Sequence, residues 1–215
     1  MYKFTYEIIV LILLLDLSFL ALSRLRKVVQ IFAMQSILVA LFPICAYYRH
    51  FTVLLVIFFS LNLLTKSVIF PWLLLRSIKK TQTSCELKPY LTYTQSLIIG
   101  FFALIGCIWF AQNFLQAKII AIQPFYFAAA IFTIFVGLFM IVSRRKALTQ
   151  ILGYLILENG IFLLGSTIPH EVSMLVEMGV LLDAFVAIFI MSMAIEHINT
   201  HFNDLSVEHL SSLRG

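Results

Sequence analysis

The chain has 215 residues, of which 62% are hydrophobic and 12% charged, and its mean hydropathy is +1.03. A soluble globule of this length needs more polar surface than that composition supplies, which excludes a soluble enzyme or binding module. The formal charge of +5 does not point to nucleic acid, because the basic residues gather at the ends of apolar runs, where membrane topology accounts for them.

Apolar runs near the ~20 residues that a bilayer-spanning helix needs follow one another along the whole chain. They cover 4–22, 29–48, 51–75, 92–114, 122–142, 148–168 and 173–197, and the short alternating strands of an outer-membrane barrel are absent. The expected fold is an all-α, polytopic helical bundle of seven transmembrane spans, forming a single membrane domain over 1–215. The first run has Lys3 before it and Arg24, Arg26 and Lys27 after it, the reverse of the charge order of a secretory signal. Ala21-Leu22-Ser23 has the small residues of a cleavage site, but the basic cluster behind it would hinder translocation, so residue 1 is expected in the mature protein.

The joints between runs divide the positive charge unevenly. Arg24, Arg26, Lys27, Arg76, Lys79, Lys80, Lys88, Arg144, Arg145, Lys146 and Arg214 fall on one side, against Lys3, Arg49 and Lys118 on the other. The positive-inside rule then puts the N-terminus outside and the C-terminus in the cytoplasm. Residues 198–215 form a short polar cytoplasmic tail. Ser23-Arg24-Leu25-Arg26-Lys27 with Gln30-Ile31 echoes Ser143-Arg144-Arg145-Lys146 with Gln150-Ile151. That echo suggests a weak parallel repeat of 4–75 and 122–197, joined by a connector helix at 92–114.

Within the runs, ionisable residues stand out because a charge near the bilayer centre costs about 2.5 to 3.5 kcal/mol on insertion scales. Lys66 lies in span 3, Glu158 in span 6 and Asp183 in span 7, each about 15 Å from a span end at 1.5 Å per residue, so all three share one depth. The bland reading is that such groups only fix helix packing. The functional reading makes Glu158, Asp183 and Lys66 a proton-handling set, since burial and mutual charge act in opposite directions on their proton affinities. Glu177, about 6 Å inside the outer boundary, is a candidate outer exit or simply a solvated interfacial acid. Asp16, about 9 Å from the inner end of span 1, is explained by snorkelling toward nearby Arg or Lys.

Gly153, Gly160 and Gly165 flank Glu158 and allow close approach of another helix or water. Pro71, five residues after Lys66, removes a backbone donor and should kink span 3. The 21 phenylalanines read as lipid-facing filler. The histidines lie at span ends or in the tail, and Cys45, Cys85 and Cys107 share no short spacing, so no haem, iron–sulfur, zinc or nucleotide site is encoded. No cofactor and no catalytic centre of its own are expected.

The segment from Ser143-Arg144-Arg145-Lys146 to Gly165, the run from Val176-Glu177-Met178-Gly179 to Met191, and the tail from Asp204-Leu205-Ser206-Val207 to Ser212-Leu213-Arg214-Gly215 resemble the hydrogenase-4 component E family. Gln35 and the stretch from Lys66 to Pro71 extend the resemblance over the whole chain. It implies a membrane subunit of a group 4 nickel–iron hydrogenase or formate hydrogenlyase-type complex in the bacterial inner membrane. Its neighbours there would be antiporter-like and complex I-like membrane subunits, with hydrogenase and iron–sulfur subunits on the cytoplasmic side. Residues 122–215 are also similar to the K subunit of complex I and the C subunit of Mrp-type antiporters. Of the two proton-translocating glutamates of the K subunit, one matches Asp183. The other aligns with Leu155, and Glu158 stands one helical turn further on. Alternatives from other classes are a non-conducting assembly scaffold and a subunit of a sodium/proton antiporter.

Overall fold

The computed structural model describes residues 2–46, 64–80, 91–116, 123–144 and 147–167. Their regular structure is helical throughout: α1 (Tyr2–Ala21), α2 (Leu25–Ala46), a π-helical turn (Thr65–Ile69) running into α3 (Phe70–Lys80), α4 (Tyr93–Gln116), α5 (Pro124–Ser143) and α6 (Ala147–Ser166). Of these, five are long and apolar enough to cross a bilayer: α1, α2, α4, α5 and α6. The third expected span is described only from residue 64 onward. The seventh, with Glu177 and Asp183, lies outside the described residues, as does the tail.

Two boundaries differ from the sequence reading. Helix α2 starts at Leu25, so Arg26 and Lys27 belong to its first turn, exposed, rather than to a joint. Helix α3 continues through Arg76 to Lys80. At the start of α2 the reason is that a long basic side chain keeps its head in water while its stem lies along the helix, so it need not stop the helix.

Helices α1, α2, α5 and α6 surround the core, and α4 lies on the outside. In the apolar window of α6 67% of residues are buried, against 11% in that of α4, which makes α6 the natural carrier of an interior site. Phenylalanines divide accordingly. Phe19, Phe32, Phe42, Phe70 and Phe132 are fully buried, while Phe4, Phe101, Phe102 and Phe110 face outward, so the ring-rich composition builds the core as well as the lipid face.

Among the described helices the closest pair is α5 with α6, and glycine is the reason. A Cβ on Gly137 would meet the Leu157 backbone nitrogen at 2.5 Å, one on Gly160 the Ile134 nitrogen at 2.7 Å, and one on Gly153 the Gly137 carbonyl at 2.9 Å. Gly153 and Gly160 stand seven residues apart, two turns along one face, so the two backbones touch over a continuous strip.

Polar contacts fix which helix ends lie together. At one end Thr5 and Tyr126 share a hydrogen bond of 2.7 Å, Tyr6 donates to Gln123 Oε1 at 2.5 Å, and the Phe42 ring packs edge-on against Tyr126. The start of α1, the end of α2 and the start of α5 therefore meet there, joined by the end of α4 through the stacked Phe114 and Phe127 rings. At the opposite end Arg144 Nη2 donates to the Leu20 carbonyl at 3.4 Å, and its guanidinium lies over the Tyr93 ring at 5.3 Å. Helix α2 thus ends opposite to where α4 begins, and the π turn and α3 lie between them in the chain.

Candidate functional site

The site grows from what a proline does to a helix. Pro71 has no N–H for the Ser67 carbonyl, and its ring would press on that carbonyl in a regular α-helix. The chain answers with the π turn Thr65–Ile69 immediately before α3, widening the helix by one residue where Lys66 stands. Sequence reading expected a kink at Pro71; the irregular turn sits upstream, because the carbonyl that loses its donor is four residues back.

From this turn Lys66 reaches into the bundle and meets Glu158 of α6, with Nζ 2.9 Å from Oε1. The two side chains are 5% and 1% exposed, which separates this pair from a solvated surface ion pair of negligible worth. Lys66 Nζ also lies 5.7 Å from the centre of the Phe162 ring, one turn along α6, where the ring face is attractive to a cation.

Next to Glu158, Asn159 opens a second line of buried polar groups. Its Nδ2 donates to Ser36 Oγ at 3.0 Å and makes a longer contact of 3.5 Å with Gln35 Oε1. Gln35 Nε2 donates to Asp16 Oδ1 at 2.6 Å, and Thr133 Oγ1 lies 2.7 Å from Asp16 Oδ2. Asp16, Gln35 and Thr133 are all 0% exposed. One connected set of polar side chains therefore runs from α5 through α1 and α2 to Asn159 of α6, the residue that follows Glu158.

Of the residues singled out from sequence, the structure brings Lys66 and Glu158 into contact, while Asp183 and Glu177 lie outside the described residues. Gly153 and Gly160 pack against the α5 backbone and do not open onto a hydrated face. Asp16 corrects the snorkelling reading: it points into the core at Gln35 and Thr133 and meets no Arg or Lys among the described residues. Sequence reasoning missed it because both partners are neutral. The available signal was the coincidence of three polar residues, Asp16, Gln35 and Thr133, deep in otherwise apolar runs.

At the basic end of the bundle Arg144 is also fully buried, just past the last residue of α5. Burial pulls its guanidinium below its usual range, and Tyr93 opposes that shift. Gln150 Nε2 donates to the Arg144 carbonyl at 3.1 Å and ties the joint to α6. Among the described residues no group of three His, Cys, Asp or Glu side chains is placed to hold a metal ion.

Apolar helices of spanning length around an interior ion pair and amide chain define an all-helical membrane protein with a polar centre. No family model and no solved structure matches the chain. It is 25% identical over 194 residues to an uncharacterized protein of Mycobacterium tuberculosis, covering 88% of this chain and 86% of that one. It is 35% identical over 88 residues to hydrogenase-4 component E of Escherichia coli and of Shigella flexneri. That match spans 41% of this chain and 41% of each component E chain.

Proposed function

We propose that the chain is a membrane subunit of a hydrogenase-type complex and that Lys66, Glu158 and Asp183 handle protons moved by redox chemistry in partner subunits. The observation that carries the reading is the Lys66–Glu158 pair, 2.9 Å apart and buried among apolar helices. A carboxylate at membrane depth is held there by its partner, so a displacement of Lys66 is the event through which redox chemistry elsewhere reaches Glu158. The π turn beneath Lys66 supports that role, because such irregular turns concentrate at functional positions. The partial similarity to hydrogenase-4 component E supports the assignment to a complex of that type.

In this reading the chain has seven spans in the bacterial inner membrane, N-terminus outside, C-terminus in the cytoplasm, with Glu177 near the outer exit. Its neighbours are antiporter-like and complex I-like membrane subunits, and the metal chemistry belongs to cytoplasmic hydrogenase and iron–sulfur subunits. Moving a charge against 100 mV requires about 2.3 kcal/mol, so redox energy must bias occupancy at the pair.

The test is Glu158→Gln and Asp183→Asn in the assembled complex. Assembly with normal redox turnover but lost proton movement is expected; full coupling in both variants would refute the proposal. The interhelical bonds of Gln35, Ser36 and Asn159 favour a second reading, a non-conducting assembly scaffold. Under that reading the same variants lower the yield of complex and leave coupling intact in what assembles.

A further inference from the structure

We infer that Asp16 is a second proton-binding group of this chain, held as the neutral carboxylic acid between Gln35 and Thr133. Thr133 Oγ1 lies 2.7 Å from Asp16 Oδ2 and 3.0 Å from the Ala129 carbonyl oxygen. A threonine hydroxyl has one hydrogen, and a carbonyl oxygen has none to give. With an ionised Asp16 only one of these contacts is a hydrogen bond, and the other sets two acceptors against each other. With a proton on Asp16 Oδ2 both are satisfied in series: the carboxyl O–H donates to Thr133 Oγ1, and the threonine hydroxyl donates to the Ala129 carbonyl. Asp16 Oδ1 remains a carbonyl oxygen and accepts from Gln35 Nε2 at 2.6 Å.

Charge leads to the same place. Asp16 is fully buried, and the elements packed against α1 offer it neutral groups, Gln35 from α2 and Thr133 from α5, with no titratable contact from α4 among the described residues. An ionised carboxylate at zero exposure with only neutral partners is strongly penalised, and a proton removes that charge. The occupancy of Asp16 stands on this geometry alone. Its part in proton handling, as a store linked through Gln35 to Asn159, the neighbour of Glu158 in the chain, rests on the reading proposed above.

Infrared spectroscopy of the purified full-length chain in lipid, with no redox partner present, tests the occupancy. The wild type should show a protonated-carboxyl C=O band at neutral pH that is lost in Asp16→Asn, a replacement that supplies the same donor to Thr133 and the same acceptor to Gln35. Thr133→Val removes the acceptor of the O–H and should shift that band without abolishing it, which keeps the test open if Asp16→Asn fails to fold. A carboxyl region unchanged in both variants overturns the inference. Because the reading needs no turnover, its failure is distinct from intact coupling in Glu158→Gln, which would sink the proton-handling role instead.

Discussion

Replacing Glu158 by leucine should strand the Lys66 charge, and the geometry sets the scale. Two unit charges 2.9 Å apart attract by about 6 kcal/mol at an effective dielectric constant near 20. Desolvation of both ions opposes that attraction, so the pair is of little net worth relative to well-packed apolar side chains, whereas removal of one partner alone costs about 3 to 5 kcal/mol. A double-mutant cycle in mild detergent separates these terms. Glu158→Leu and Lys66→Met should each lower the unfolding free energy by several kcal/mol, while the two together should sit close to wild type. Additivity within about 0.5 kcal/mol would refute the reasoning, since independent sites behave in that way.

Four further outcomes follow from the packing and the polar chain. Gly160→Leu should weaken the α5–α6 contact by about 1 to 3 kcal/mol or more, seen as a lower melting temperature, because the new Cβ would lie 2.7 Å from the Ile134 backbone nitrogen. Gly106→Ala is the control: nothing lies within 4 Å of the new methyl, and the helix should gain up to about 1 kcal/mol, an increase readable in the same melt. Gln35→Leu should cost about 1 to 3 kcal/mol, because it removes the amide that donates to buried Asp16, and Gln35→Glu should not restore it when denaturation is measured at neutral pH. Pro71→Ala restores a donor for the Ser67 carbonyl and should let the π turn revert to α-helix; Lys66 then rotates away, and the coupling measured in the Lys66–Glu158 cycle should shrink.

What the sequence disclosed and what it hid follow from how each property is encoded. Helices such as α4 and α5 were legible because the length of an apolar run is a one-dimensional quantity. The start of α2 and the end of α3 were displaced because Arg26 and Lys79 look like joints but are equally at home in a helix with its end in water. Lys66 and Glu158 announced themselves, since a charge in an apolar run is conspicuous without knowledge of its partner. Asp16 lies near the end of its run, where position alone suggests an interfacial acid, although the feature that matters is whether α2 and α5 present hydrogen-bond partners to it. That depends on helix rotation, which composition does not carry. Gly137 is silent in the sequence for a related reason: no charge stands near it, whereas Gly153 and Gly160 flank Glu158.

The polar ties between helices join residues far apart in the chain. Asp16 and Thr133 are separated by 117 positions, Ser36 and Asn159 by 123, and Leu20 and Arg144 by 124. During synthesis the first hairpin therefore enters the lipid long before α5 and α6 leave the ribosome. Asp16 then has Gln35 for company, but Ser36 and Gln35 still await Asn159. A nascent chain arrested at that stage leaves amides and hydroxyls unsatisfied in hydrocarbon, a state that costs free energy. The polar interior is thus complete only once α5 and α6 have joined the first two helices.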